Sequence, residues 1–344
     1  MDLQIINPLE IPEWDDMIAQ HPDATIFHTS SWARVLSESY GYRPLYFTKI
    51  ESGELKALVP MMEVKSFITG KRGVSLPFTD YCPPLLTEGY DLEAIFPQLV
   101  RFGEKSGWKY VELRGTHGDI LNAVPSTTYL THTLPLSEDA DRIRSGFRNS
   151  TVRNIKRAVK EGVEVTMDAT LPGMKEFYRL NCMTRKEHGL PPQPFYFFRN
   201  LHRHIISRGS GTVFLGSYQG KTVAAVVCLQ FGKKAVYKYG ASDRRFLATR
   251  ANNLVMWKAI KHYGSTGFET FCFGRTEPEN SGLSQFKAGW GTEEGNISYL
   301  RFDLHRKDFI RQVPGTRNWH NQVFSKMPIP TLNMVGKLLY RHMG

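Results

Sequence analysis

Two ten-residue stretches, SGWKYVELRG (Ser106–Gly115) and TGFETFCFGR (Thr266–Arg275), share one layout: a small residue, a glycine, an aromatic residue, then a strand ending with glycine and arginine. What precedes each stretch also matches. In the second half, TVFLGSY (Thr212–Tyr218) and TVAAVVCLQF (Thr222–Phe231) flank Gln219-Gly220-Lys221, a hairpin signal. A third strand, AVYKYGAS (Ala235–Ser242), leads to a helix over Ala251–Tyr263 that Gly264 is placed to cap, and then to the strand FETFCF (Phe268–Phe273). In the first half, RPLYFTKI (Arg43–Ile50) and LKALVPMMEV (Leu55–Val64) flank a turn. DLEAIFPQLVRFGEKSG then reads as a helix that Pro97 should disturb, followed by the strand KYVELRG (Lys109–Gly115). Self-similarity at domain spacing predicts an α/β (α+β) fold used twice. Two unrelated α+β domains, each with a helix–strand step, is the reading the residues leave open.

The segment between the halves carries the charge. The chain has 44 Lys and Arg against 33 Asp and Glu, a formal net charge of +11, which favours anionic partners such as nucleic acid, acidic headgroups or phosphorylated substrates. In FRNSTVRNIKRAVKEGVEV (Phe147–Val165), Val152, Ile155 and Val159 share one helical face while Arg153, Lys156, Arg157 and Lys160 line another. Asn149 or Ser150 can cap this helix and Gly162 can end it; Arg142, Arg144 and Arg148 extend the cationic stripe. The stripe is either a polyanion-binding surface or a solvated face. The tail VFSKMPIPTLNMVGKLLYRHMG has no acidic residue, and its helix near Leu332–His342 either lies on a membrane surface or docks on the first domain. The opening residues lack the pattern of a secretory signal, and no apolar run is long enough to span a bilayer. Cys82, Cys182, Cys228 and Cys272 have no metal-type spacing, and His202-x-His204 would point its rings to different helix faces, so no metal site is expected. The expected address is cytoplasmic, with peripheral contact at the inner membrane face left open.

In GLSQFKAGWG (Gly282–Gly291), Lys287 stands beside Phe286 and Trp290 in what its flanking glycines make a flexible loop. Tyr237 and Tyr239 flank Lys238, which in a regular strand puts both rings on one side. His188, in CMTRKEHG, is a candidate proton acceptor, with Thr184 and Arg185 nearby; Arg275 could fork onto a phosphate, and Asp80 in PFTDYCPP is a weaker candidate.

Several blocks, in order, resemble the FemAB-like branch of the GNAT acyltransferases: SSWARVLSESYGYRPLYF (Ser30–Phe47), FYRLNCMTRKEHGLPPQPFYFFRNL (Phe177–Leu201), YKYGAS, NNLVMWKAIKHYGSTGFETFCFGRT (Asn252–Thr276) and GLSQFKAGWG. The likeness looks greatest to stand-alone FemAB-related proteins linked to exopolysaccharide and exosortase systems. The resemblance implies two tandem GNAT-like domains, 1–140 completed by 305–344, and 141–304 carrying the principal site. It implies transfer of an acyl or aminoacyl group to an amine of a cell-envelope glycan or peptide precursor. Lys287, Tyr237 and Tyr239 would be catalytic, and Phe286, Arg275, Arg185, His188, Trp290 and Asp80 would bind substrate. The donor is aminoacyl-tRNA or, as the alternative, an acyl thioester of coenzyme A or a carrier protein; no tightly bound cofactor is implied. Where some members of that family carry an Arg and a Tyr, this chain has Gln193 and Phe197, so the resemblance reaches transfer better than it reaches a nucleotide-linked peptidoglycan acceptor. In the run Arg245–Ala251, Arg250 stands where a pyrophosphate-binding loop wants glycine. A third reading, from another class, is a polyanion- or membrane-binding module on a retired acyltransferase fold.

Overall fold

The computed structural model describes residues 3–116, 121, 123–311 and 319–344, with side chains of the last segment described from Asn321. The chain forms two compact units: Met1–Leu130 with Asn296–Thr316 and Leu338–Gly344, and Thr131–Gly295 with Arg317–Lys337. Of the expected completion 305–344, residues 317–337 therefore group with the second unit.

In chain order the first unit contains β1 (Gln4–Ile6), α1 (Trp14–Ala19), α2 (Ser30–Tyr40), β2 (Arg43–Glu51), β3 (Glu54–Ser66), β4 (Gly70–Val74), β5 (Leu85–Leu86), α3 (Leu92–Lys105) and β6 (Tyr110–Thr116). The sheet runs β1-β2-β3-β4-β6, antiparallel until the parallel pairing of β4 with β6. Asp91 caps α3, its carboxylate accepting from the Ala94 amide at 2.7 Å. Pro97 does not disturb α3, which runs unbroken to Lys105. Proline removes a single rung of the ladder, and the burial of Leu92, Ile95, Phe96 and Leu99 against Phe47, Val59 and Met61 outweighs it.

The second unit begins within β7 (Thr127–Pro135) and continues with α4 (Ala140–Ser145), α5 (Asn149–Lys160), β8 (Glu164–Asp168), α6 (Leu171–Glu187), α7 (Phe195–His204), β9 (Gly211–Tyr218), β10 (Lys221–Phe231), β11 (Lys234–Ser242), α8 (Ala251–Ser265), β12 (Thr270–Thr276) and α9 (Ser281–Ala288). β8, β9, β10 and β11 pair antiparallel in that order, and β11 pairs parallel with β12. The order β9-β10-β11-α8-β12 thus repeats β2-β3-β4-α3-β6, as expected of tandem GNAT-like domains. Each unit is a mixed, mostly antiparallel sheet flanked by helices. α8 buries Leu254, Val255, Ala259 and Ile260 against Phe214, Val226 and Cys228 of the sheet, each large side chain contributing roughly 1.5–3 kcal/mol.

Three local expectations change. Gly264 is not the cap of α8: the helix reaches Ser265, and Gly267 takes the left-handed φ of 82° beyond it. α5 buries Thr151, Ile155 and Ala158, while Val159 is 60% exposed. The apolar face is thus set one residue back from Val159, because Thr151 is drawn inward by its hydrogen bond to the Gly289 carbonyl at 2.9 Å. Neither Asn149 nor Ser150 caps α5; Arg148 occupies the N-cap without a side-chain bond, and Gly162 ends the helix with φ 80° as expected.

Strand β13 (Glu293–Asp303) pairs antiparallel with β6 from Ser298 onward, and β14 (Asp308–Phe309) pairs with β13. The tail holds two helices, α10 (Trp319–Lys326) and α11 (Ile329–Leu339). Asn333 accepts hydrogen bonds from the Tyr178 hydroxyl and the Cys182 thiol, both on α6. Residues beyond α11 dock on the first unit: Tyr42 donates to the Tyr340 carbonyl at 3.2 Å, and Arg72 to the His342 carbonyl at 2.8 Å and, through Nε, to that of Gly344 at 2.7 Å. This end of the tail is docked on the first unit.

Candidate active site

The pairing of β11 with β12 covers only Lys234↔Thr270, Ala235↔Phe271 and Val236↔Cys272, although the strands run on to Ser242 and Thr276. Beyond Val236 no β11–β12 register is found among the described residues, and the strand ends diverge. The divergence coincides with a bulge: β10 residues Val227 and Cys228 are neighbours, yet their partners on β11 are Tyr239 and Tyr237, so Lys238 is the extra residue.

The bulge corrects the expectation that the two tyrosines face one way. Tyr237 packs on Phe273 and on the core around α8, whereas Tyr239 sits among Phe177, Phe197 and Phe198 of α6 and α7. An extra residue resets the alternation of the pleat, so side chains two apart go to opposite faces. Gly240 completes the arrangement: a Cβ there would lie 1.8 Å from the Tyr237 hydroxyl. Burial, and secondarily the neighbouring Cys228, pushes the Tyr237 hydroxyl pKa well above its ordinary value, so it remains a proton-bearing donor.

Lys287 is on a helix, not in a flexible loop. Asn280 caps α9 by accepting from the Leu283 amide at 3.2 Å, and the following turns carry Lys287 inward to 2% exposure. Its Nζ donates to the carbonyls of Gly274 at 2.9 Å and Arg275 at 3.0 Å, placing a cation at the end of β12. The glycines of the surrounding stretch serve close packing. Gly291 has φ 69°, and a Cβ on it would meet the Gly146 carbonyl oxygen at 2.5 Å. Trp290 is fully buried against Phe147, Phe273 and Phe286, so it is a core residue that supports Phe286 instead of a surface that touches substrate. Phe286 lines a cavity of about 150 Å³ with Asp243, Phe246, Arg250, Asn252 and Asn253, at the start of α8. Arg250 there takes φ 59°, the left-handed conformation that glycine would supply.

Arg185 and His188 lie at the end of α6, which Thr184 ties to β11: its hydroxyl donates to the Ser242 carbonyl and accepts from the Ser242 amide. His188 is exposed; desolvation first, then the charges of Arg185 and Arg244, hold its pKa below the usual imidazole value, leaving it neutral and able to accept a proton near pH 7. Arg153, Lys156, Arg157 and Lys160 are all exposed on α5, Arg157 pairing with Glu161 at 3.6 Å. Asp80 belongs to the first unit, where its carbonyl accepts from the Tyr299 hydroxyl at 2.6 Å. No cluster with metal-ligand character occurs among the described residues.

Sequence reasoning missed His132. It is fully buried on β7, its Nε2 lying 3.2 Å from the Glu294 carboxylate and 3.5 Å from the Ser284 hydroxyl. Burial first and the Lys287 charge second lower its pKa, outweighing Glu294, so the ring is neutral. The Glu294 contact assigns the proton to Nε2, and Nδ1 has no hydrogen-bond partner among the described residues. The Thr276 hydroxyl at the end of β12 is likewise buried without such a partner. In TYLTHTLP nothing distinguishes this histidine from an ordinary strand residue.

The geometry defines an acyltransferase-like fold, and comparison with known proteins agrees. Residues 145–288 match the model of an acetyltransferase (GNAT) domain. Over 104 residues the chain is 24% identical to the UDP-N-acetylmuramoylpentapeptide-lysine N(6)-alanyltransferase of Weissella viridescens, covering 30% of this chain and 31% of that protein. The match thus spans about a third of the curated relative. The crystal structure of FemX superposes with a TM-score of 0.65 at 14% identity, over 86% of this chain and 96% of that one. A tandem GNAT protein from the clavulanic acid biosynthesis pathway superposes at 0.56 with 10% identity, over 92% and 99%. The fold is GNAT-like and similar to that of FemX.

Proposed function

We propose that this protein is an N-acyltransferase of FemAB-like kind that moves an aminoacyl or acyl group onto an amine of a cell-envelope glycan or peptide precursor. The observation that carries this reading is the divergence of β11 from β12 beyond Val236, with Lys287 pinned at the end of β12. The 24% identity with the alanyltransferase supports the class of transfer. The exosortase-associated branch belongs to the same proposal and has no separate support.

The chemistry follows from the donors present. The acceptor amine, once deprotonated, attacks the acyl carbonyl; a C–N bond forms, negative charge collects on the carbonyl oxygen, and the C–O bond of the ester donor breaks. The departing oxygen takes a proton, and the proton lost by the amine passes to a base, the role assigned to His188. Lys287 and the Tyr237 hydroxyl serve the developing charge, a contribution of roughly 2.7–4 kcal/mol per donor. Tyr239, on the other face of β11, positions the aromatic wall of α6 and α7, while Arg185 and Arg275 bind the anionic part of the acceptor.

For the donor, the exposed stripe Arg153, Lys156, Arg157 and Lys160 favours aminoacyl-tRNA. A second reading, an acyl thioester, is favoured by the cavity at the start of α8 and by the left-handed Arg250. Against it, the Ala251 amide is already held by the Thr249 hydroxyl at 3.3 Å, and Asp243 lines the cavity. The test is to titrate the protein with charged tRNA, uncharged tRNA and acyl-coenzyme A at two salt concentrations, beside Lys287→Ala. Charged tRNA bound above uncharged, with transfer lost in the variant, is the expected result. Saturable thioester binding moves the assignment to the second reading, and specific binding of neither leaves a polyanion-binding module.

A further inference from the structure

The hairpin joining β3 to β4 ends in Phe67 and Ile68, which are 88% and 58% exposed. Tips of hairpins in water normally carry glycine, asparagine or aspartate, so two bare apolar side chains call for an explanation. Looseness is not the explanation. The Ser66 hydroxyl accepts from the amides of Ile68 at 3.1 Å and Thr69 at 3.0 Å, which fixes the turn. Behind the tip lies the docked tail: His342 Nδ1 is 3.0 Å from the Ser66 hydroxyl, Thr69 donates to the His342 carbonyl, and the Phe67 ring meets the His342 ring edge-on at 4.6 Å. The next residue, Met343, is 60% exposed.

Along the sequence, the charge flanking the tip has one sign. No acidic residue occurs between Glu63 and Asp80, or from Trp319 to Gly344, whereas Lys65 and Arg341 are exposed. Glu63 itself is buried and held by Lys71 at 3.0 Å and Arg43 at 3.5 Å. We propose that this tip is a membrane foot: Phe67, Ile68 and Met343 enter the acyl boundary of an anionic bilayer while Lys65 and Arg341 rest in its headgroup layer. Exposed apolar side chains flanked by exposed cations fit that two-layered environment, in which the apolar groups leave water and the cations meet anionic phosphates. A flat protein partner would need acidic groups around an apolar hole and a larger apolar area than this tip offers. The proposal concerns only the first unit and stands independently of the transfer reaction.

The test is vesicle flotation of the full chain with no donor or acceptor present. Vesicles of phosphatidylcholine alone are compared with phosphatidylcholine mixed with phosphatidylglycerol, at low and high salt. The protein should float with the mixed vesicles only, and less so at high salt. The pair Phe67→Ser with Ile68→Ser should lower partitioning by about tenfold or more at an unchanged melting temperature, by the area they bury. The pair Lys65→Gln with Arg341→Gln should remove the preference for phosphatidylglycerol. Failure of the unaltered protein to float, or full binding by either pair, overturns the proposal. So does a lipid-free dimer in sedimentation velocity that the serine pair abolishes, because the tip would then belong to a second copy.

Discussion

The two units place a parallel strand beside the third strand of a meander, and they treat the resulting gap in opposite ways. In the first unit, chain returns to fill it. The Ser75 amide bonds to the Glu112 carbonyl, and the Cys82 amide to that of Arg114, so the segment after β4 closes over β6. Charge is neutralised there as well: Glu112 is buried between Arg114 at 2.7 Å and Arg301. In the second unit, β11 bulges at Lys238 and leaves β12, and the cation at the gap, Lys287, is matched with carbonyl oxygens of Gly274 and Arg275. A carboxylate between two arginines is finished chemistry. A lysine drawn onto carbonyl dipoles at a strand end is a cation that can stabilise another anion.

If that contrast is right, substitutions in the first unit move stability and those in the second move transfer. The largest effect is expected at Glu112→Gln, which leaves Arg114 and Arg301 without their carboxylate and should destabilise the fold by roughly 3–5 kcal/mol in denaturant titration. Its pH dependence is a second readout. Burial raises the Glu112 pKa, but the charges of Arg114 and Arg301 outweigh it and bring the value below the usual range. The pair's stability is therefore full above the unfolded-state carboxylate pKa and is lost as pH falls through the lower folded value. Glu112→Gln should flatten that acid limb; an unchanged limb would remove the first unit's half of the comparison.

Next is Lys287→Ala, expected to slow transfer by about a hundredfold to a thousandfold, measured as single-turnover rate at saturating donor. Full activity in this variant would mean that the second gap is as inert as the first. Gly240→Ala should be milder for stability, roughly 1–3 kcal/mol of overpacking, but it must displace the Tyr237 hydroxyl and so lower the rate out of proportion to its melting shift. Smallest is the set Arg153→Gln, Lys156→Gln, Arg157→Gln and Lys160→Gln. These residues are exposed, so melting should hardly change. The slope of log K for tRNA against log salt should fall by about 0.9 for each phosphate contact removed.

Much of the fold was legible because local chemistry and tertiary structure agree. Gln219-Gly220-Lys221 makes the hairpin between β9 and β10, and the paired stretches ending at Gly115 and Arg275 are β6 and β12. Legibility stopped where one residue has long-range consequences. Period-two alternation puts Tyr237 and Tyr239 together, and only the partner strand reveals the extra residue between them. The glycines around Lys287 suggested a loop, but two of them admit close approach from elsewhere, of the Gly146 backbone at Gly291 and of the Thr151 hydroxyl at Gly289. His132 carries no local signal at all, because its surroundings come from α9 and from Glu294, far along the chain.

The bulge at Lys238 also bears on how such a site could change over evolutionary time. Point substitution at Tyr237 or Tyr239 alters one ring and leaves the other in place. Insertion of one residue into β10 between Val227 and Cys228 would do something different: Lys238 would gain a partner, strict alternation would return along β11, and one of the two hydroxyls would cross the sheet to join the other. A one-residue insertion is thus a discrete step between two layouts on one scaffold, and relatives with a lengthened β10 are where the alternative layout would be found.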